Sequence, residues 1–170
     1  MNKPPPARSS SDPSREIVIV DIDGTIADVR HRLHHINGPK KKNWKAFFEA
    51  MDRDTPIAPV IERVRELAKT SEIVIITGRP ESYEARTLAW LARHDVPFSR
   101  LLMRRSGDHR QDFVAKEDLL HELPAGRVTL AIDDRAPVCD MYRRHGIEVI
   151  EVASDVENQN VNEVYRKHPD

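Results

Sequence analysis

Three short runs along the chain are apolar and β-branched without alternation: Ile17-Val18-Ile19-Val20, Ile73-Val74-Ile75-Ile76 and Val128-Thr129-Leu130-Ala131-Ile132. A strand with one wet face alternates apolar and polar residues, so continuous runs of this length predict strands buried on both faces, as in a parallel sheet. Weaker strand patterns occupy residues 100–103 and 147–152. Between the runs, apolar positions recur at helical spacing over 59–69, 80–94, 112–121 and 136–145, the last stopped by Gly146. Strand and helix therefore alternate, which predicts one α/β domain over 17–153, a doubly wound, Rossmann-like parallel sheet with helices on both faces. Residues 28–55 interrupt the alternation. Asn43 reads there as the cap of a short helix carrying Trp44, Phe47, Phe48 and Met51, and the aromatic side chains are expected to pack in the core or at its edge. The insert is too small for a second domain, so a small or absent cap and an open site are expected.

Composition adds bounds. A chain of 170 residues with 39% hydrophobic content can fill one core and not two. Residues 1–16, rich in Pro and Ser with no signal-like apolar stretch, read as a disordered leader. Residues 154–170 read as a polar tail with a short helical pattern around 161–166. No segment approaches the roughly 20 apolar residues that span a bilayer, so a soluble, cytoplasmic protein is expected, with no membrane partner. Cys139 is the single cysteine, which excludes an internal disulfide and a multi-cysteine zinc site and reads as a small packed side chain. The net charge of -1 names no partner, although basic residues gather over 30–45 and 100–110.

Candidate chemistry lies at the ends of the apolar runs, because ligands of open α/β sheets sit at the carboxyl ends of the strands. The sequence there reads Asp21-Ile22-Asp23-Gly24-Thr25, Thr77-Gly78-Arg79 and Asp133-Asp134-Arg135, and Lys116 lies on the helix before the third run. Each of these alone is ordinary turn, cap or surface chemistry. Together they hold meaning: four carboxylates at one sheet edge repel unless a cation sits among them, and hard oxygen ligands suit Mg²⁺. Thr77 and Lys116 then offer a hydroxyl and an ammonium to an anion beside the metal, as phosphoryl transfer requires.

In this order, Asp21-Ile-Asp-Gly-Thr, Thr77, Lys116 and Asp133-Asp134 resemble the four motifs of the haloacid dehalogenase superfamily of phosphohydrolases, over about residues 17–153. The resemblance implies that Asp21 attacks phosphorus and that Asp23 serves as general acid and then as base for the releasing water. It also implies Mg²⁺ held by Asp21, the Asp23 carbonyl and Asp134, with Asp133 behind. Thr77 would bond a phosphoryl oxygen, and Lys116 would offset the developing charge.

A narrower resemblance covers most of the second half. The run Arg104-Arg-Ser-Gly-Asp-His-Arg-Gln-Asp112-Phe-Val-Ala-Lys116, followed by Leu-Ala-Ile-Asp-Asp-Arg135 and Met141-Tyr-Arg-Arg-His-Gly146, is similar to the 3′-phosphatase domain of phage-type polynucleotide kinase-phosphatase. That family implies further site residues at Arg32, Gly78, Arg79 and Asp112, and phosphorylated nucleic-acid ends as substrates. Two departures stand out: Thr77 occupies a position where the phage enzymes carry Ser, and no G-x-x-x-x-G-K-[ST] loop for a phosphate donor occurs in this chain. A nucleotide phosphatase remains the enzymatic alternative. A phosphoacceptor module is the non-catalytic one, against which stands Asp23, placed to turn the aspartyl-phosphate over.

Overall fold

The computed structural model describes residues 13–37, 39 and 41–153. The predicted tail helix around 161–166 and most of the leader lie outside these residues. The first apolar run forms β1 (Ile17–Val20), and a short strand β2 (Ala27–Asp28) opens the insert. The insert continues through a 3₁₀ turn (Arg30–His35) and α1 (Trp44–Glu49), and β3 (Thr55–Pro56) closes it. Asn43 caps α1 as expected, accepting the Ala46 N–H at 3.0 Å. Then follow α2 (Ala58–Leu67), β4 (Glu72–Pro80), α3 (Glu84–Arg93), β5 (Arg100–Arg104), α4 (Asp112–Leu120), β6 (Val128–Asp133), α5 (Ala136–Arg144) and β7 (Glu148–Glu151).

The main sheet has the order β5-β4-β1-β6-β7, and every pairing in it is parallel. The chain lays strands on one side of β1 first and on the other side afterwards. This reversal makes the carboxyl end of β1 the switch point, with β4 and β6 directly beside it. Side chains alternate along each strand, so Val18, Val20, Ile73 and Ile75 enter one core layer with Val60, Ile61, Val64 and Trp90. Ile17, Ile19, Val74 and Ile76 enter the other, with Leu119, Val138, Met141 and Tyr142. That two-sided burial is why the runs lack alternation.

Two elements differ from their expected form. β4 does not end at Ile76 but runs on to Pro80, its pairing with β5 slipping between Thr77 and Pro80. Thr77-Gly78-Arg79 therefore sit on strand backbone with a local irregularity, a placement that re-aims side chains at a sheet rim. The insert carries a small pairing of its own that the sequence pattern did not predict: β2 and β3 run antiparallel at its base, Ala27 with Pro56 and Asp28 with Thr55. At the chain's start, Arg15 donates to the carbonyls of Ala68 and Thr70, and Glu72 N–H donates to the Glu16 carbonyl. Among the described residues no helix is long and apolar enough to cross a membrane.

Ile75 lies at the middle of β4 with no exposure. Ile75→Ala is expected to lower unfolding stability by about 2–5 kcal/mol, since the rigid sheet closes little of the cavity. Urea denaturation at neutral pH measures this, and a loss below ~1 kcal/mol contradicts the packing described.

Candidate active site

The first motif follows β1 directly. The Ile22 carbonyl accepts the N–H groups of Thr25, Ile26 and Ala27, and this tight turn places Asp21 and Asp23 to either side of a buried Ile22. Gly24 has φ +84°, and a Cβ on it would overlap the Asp134 carboxylate, so glycine serves both the turn and the approach of β6. Thr25 turns back, its hydroxyl directed at Asp21 Oδ2 (3.0 Å) and Asp134 Oδ1 (3.4 Å).

On the β6 side of the turn, Lys116 is the hub. Its ammonium, buried on α4, donates to Asp21 Oδ1 at 2.8 Å and Asp133 Oδ2 at 2.6 Å, with Asp112 Oδ2 at 3.6 Å. Burial opposes its charge, but Asp133, Asp21 and Asp112 outweigh burial and hold Lys116 protonated. Asp133 takes a second donor, the Arg135 N–H at 3.0 Å. Asp21, Asp133 and Asp134 bring carboxylate oxygens within 4.8 Å of one another. One ammonium does not balance three such charges. Burial first, then the neighbouring carboxylates, push Asp21 well above the usual range despite Lys116. Burial and Asp133 push Asp134 up to about 7. An all-oxygen set with excess negative charge is the donor chemistry of a hard divalent cation, so the residues fit a metal. Asp133 has donors on both oxygens, and so has Asp21, from Lys116 and the Thr25 hydroxyl, which leaves Asp134 the freest carboxylate of the three.

On the β4 side the second acid lies among arginines. Asp23 Oδ1 accepts from Arg32 Nη2 (2.7 Å), Arg79 Nη2 (2.6 Å) and Arg79 Nε (3.0 Å). Burial works to raise its pKa, but Arg79 and Arg32 outweigh burial and hold it below the ordinary range. The two guanidiniums are themselves buried behind Asp23. Beneath them sits Asp54, which sequence reasoning did not single out. It accepts from Arg32 Nε (2.8 Å) and Nη2 (2.7 Å) and from Arg79 Nη2 (3.0 Å), and His31 Nε2 lies 2.8 Å from its Oδ1. Trp90 Nε1 holds the Asp54 carbonyl at 2.9 Å. Asp54 directly precedes β3, so the closing strand of the insert carries the carboxylate that fixes both arginines. A lone Asp before a Thr-Pro reads as a turn residue, and nothing in its spacing marked it.

The remaining predicted residues lie around this pair of clusters. Thr77 is buried, with its hydroxyl accepting the Arg79 N–H at 3.2 Å. Gly78 faces Asp112 so closely that a Cβ would sit 2.5 Å from Asp112 Oδ1. Asp112 is held in turn by Arg104 Nη2 at 2.6 Å and lies 3.7 Å from Arg135 Nη1. Burial opposes its charge, but Lys116, Arg135 and Arg104 prevail and keep it ionised. Asp112 opens α4 without capping it, for Gln111 is the N-cap residue and makes no side-chain cap bond. Arg104 and Thr25 are two further site residues, quoted within the motifs but given no role of their own by sequence reasoning.

A doubly wound sheet that gathers this Asp, Thr, Lys and Asp-Asp set at its switch point is the arrangement of a phosphatase of the haloacid dehalogenase superfamily. More narrowly, the chain belongs to the polynucleotide kinase PNKP phosphatase domain family, whose model matches residues 15–156. Among solved structures, a chain of the Pnkp1/Rnl/Hen1 RNA repair complex is 26% identical with TM-score 0.66, covering 89% of this chain and 47% of its own. A second Pnkp1/Rnl/Hen1 complex gives 28% identity and TM-score 0.68, covering 86% and 49%. The present chain thus spans about half the length of those relatives. A haloacid dehalogenase-like hydrolase from Streptococcus pneumoniae matches over 92% of both chains at 14% identity and TM-score 0.58, a likeness of fold.

Asp54→Asn keeps the shape and removes the charge that pairs both arginines. Breaking a buried ion network in this way is expected to cost about 3–5 kcal/mol of stability. Turnover of p-nitrophenyl phosphate is expected to fall at least roughly tenfold, because the arginines that set Asp23 lose their support. Urea unfolding and steady-state kinetics check both, and unchanged values in a folded variant refute the role of Asp54.

Proposed function

We propose that this phosphatase is a Mg²⁺-dependent phosphomonoesterase that removes 3′-phosphates from nucleic-acid ends through a covalent phosphate on Asp21. The observation that carries the mechanism is the division of two aspartates two positions apart. Asp21 lies against Lys116 and the acidic pair, and Asp23 lies between two arginines.

In this reading an Asp21 oxygen attacks phosphorus, the bond to the ester oxygen breaks, and that oxygen leaves with a proton from Asp23. Water then attacks the phosphorus, Asp23 takes its proton, and the bond to Asp21 breaks to release phosphate. Lys116, already on Asp21 Oδ1, limits repulsion between that carboxylate and the anionic ester. Mg²⁺, held by Asp21, the Asp23 carbonyl and Asp134 with Asp133 behind, would draw charge from the phosphoryl oxygens. Thr77 would donate to a phosphoryl oxygen. Arg32 and Arg79 are buried behind Asp23, so they act first on its charge; an entering phosphate gives them a second anion to serve and eases protonation of Asp23. Gly78 would leave room for Asp112 against β4, and Asp112, held by Arg104 and close to Arg135, would orient Lys116 beside the phosphate.

Support for a polymer substrate comes from the family match and from the RNA repair complex that holds two of the similar structures. It also comes from exposed lysines at Lys41 and Lys42 within the insert.

Asp21→Asn and Asp23→Asn are each expected to reduce turnover at least roughly a thousandfold with unchanged folding. Near wild-type phosphate release by either folded variant refutes the mechanism. Chelation is expected to abolish activity and added Mg²⁺ to restore it, whereas full activity after exhaustive chelation removes the metal from the account. For the substrate, kcat/KM is compared on 3′-phosphorylated oligonucleotides, 5′-phosphorylated oligonucleotides and a 3′-mononucleotide. The first is expected to lead, and Lys41→Ala is expected to weaken it more as salt rises. Equal values for oligomer and mononucleotide, with no effect at Lys41, replace this reading with a small-molecule nucleotidase.

A further inference from the structure

Sequence pattern places Trp44 among core or edge aromatics, yet among the described residues it is the exposed large hydrophobic side chain, 46% open, while Phe47 beside it is buried. Its orientation is fixed rather than loose. Trp44 opens α1 directly after the Asn43 cap, and the Asn43 N–H is itself tied to the His35 carbonyl at 2.8 Å. The indole lies nearly parallel to the Phe48 ring, at 24° with centroids 6.0 Å apart, and edge-on to Phe47 at 5.7 Å. Phe48 in turn meets Tyr83, from the turn that follows β4, at 5.4 Å.

This aromatic strip is continuous with the site. The Arg32 guanidinium that holds Asp23 lies 4.1 Å above the Phe47 ring. From Asp23 outward the order is thus arginine, buried Phe47, exposed Trp44. At the outer end the charge is positive: Lys42 Nζ lies 5.7 Å from the indole centroid, and Lys41 and Lys45 are exposed nearby. An exposed indole alone is unremarkable on a protein surface. A rigid indole one ring away from a site arginine, flanked by lysines, matches what an unpaired nucleic-acid strand offers: a flat base and a phosphate on either side of it.

Resting on the 3′-phosphatase reading, we propose that Trp44 is a stacking platform for a nucleobase just upstream of the reacting 3′ terminus, with Lys42 moving from the ring to the adjoining backbone phosphate. A mobile lysine gives up an aromatic face readily, because its ammonium exchanges one weak attraction for a direct charge pair. The platform contacts bases without reading their edges, so it confers a preference for single-stranded ends and little sequence selectivity.

The test compares wild type, Trp44→Ala and Trp44→Phe on a 3′-phosphorylated oligonucleotide, on the same oligonucleotide with abasic residues at its 3′ end, and on p-nitrophenyl phosphate. Trp44→Ala is expected to raise KM for the normal oligonucleotide about tenfold with little change in kcat, and Trp44→Phe to restore most of it. Abasic ends are expected to raise KM similarly in wild type, and Trp44→Ala to add nothing further on them, since both remove one contact. A 3′-hydroxyl oligonucleotide is expected to quench Trp44 fluorescence, with Trp90 silent because it is buried. An unchanged oligonucleotide KM in Trp44→Ala overturns the platform and leaves the 3′-phosphatase reading standing. Equal losses on p-nitrophenyl phosphate also overturn it, in favour of a structural effect through Phe47 and Arg32. Failure of wild type to prefer oligonucleotides over a mononucleotide overturns the parent reading and the platform together.

Discussion

Charge balance in a buried space is the constraint on which this molecule turns. A parallel sheet delivers β1, β4 and β6 side by side, and their carboxyl ends carry Asp21, Asp23, Asp133 and Asp134 into a region largely shielded from water. Uncompensated, such charges shift their pKa values or unfold the edge. The fold answers with three buried cations, Lys116 from α4, Arg79 from β4 and Arg32 from the insert. The cations are not spread evenly. Two arginines serve Asp23 while one lysine serves the other three carboxylates, so one side is neutralised and the other is left to attract positive charge.

The same arithmetic explains the insert. Arg32 and Arg79 together need more than one carboxylate, and Asp54, brought in at the start of β3, supplies the second. Its position is fixed from three directions: by the β2–β3 pairing, by Trp90 Nε1 on its carbonyl, and by the two guanidiniums on its carboxylate. A segment that looks like an interruption of the α/β alternation is therefore bonded into the site at its centre. Arg32 and Asp54 lie on the same short excursion of the chain, which also positions Phe47 and Trp44. Core packing at Trp90 and charge placement at Asp23 are joined through one residue.

How much of this was legible follows from what each feature depends on. Strands buried on both faces write themselves as uninterrupted apolar runs, so β1 and the cores of β4 and β6 could be read residue by residue, and the helices between them nearly so. The site residues that carry motif spacing, such as Asp21, Asp23 and Lys116, were likewise readable. The roles of Asp54, Thr25 and Arg104 were not: Asp54 and Thr25 gain theirs from partners distant in sequence, Arg79 and Asp134, and Arg104 from a loop of irregular backbone that returns to it at Asp112. The extension of β4 through Pro80 was hidden for another reason, since Thr-Gly-Arg-Pro has the composition of a turn and is held as strand by β5. Among the aromatics expected in the core or at its edge, Phe47 is the one buried in full and Trp44 takes the edge, a division that sequence alone left open.

The opposed environments of Asp21 and Asp23 carry the argument one step further. In the resting protein Asp21 is pushed up and Asp23 is held down, the reverse of what the nucleophile and general acid of the proposed mechanism need. Positive charge entering beside Asp21 favours its ionised form. The negative charge of a phosphate ester entering in front of Asp23 favours its protonated form, and it does so while competing for the arginines that kept the proton away. In the proposed mechanism each aspartate is thus placed where its own ligand shifts it toward the form its step needs. Without those ligands the surroundings favour neither ionisation of Asp21 nor protonation of Asp23.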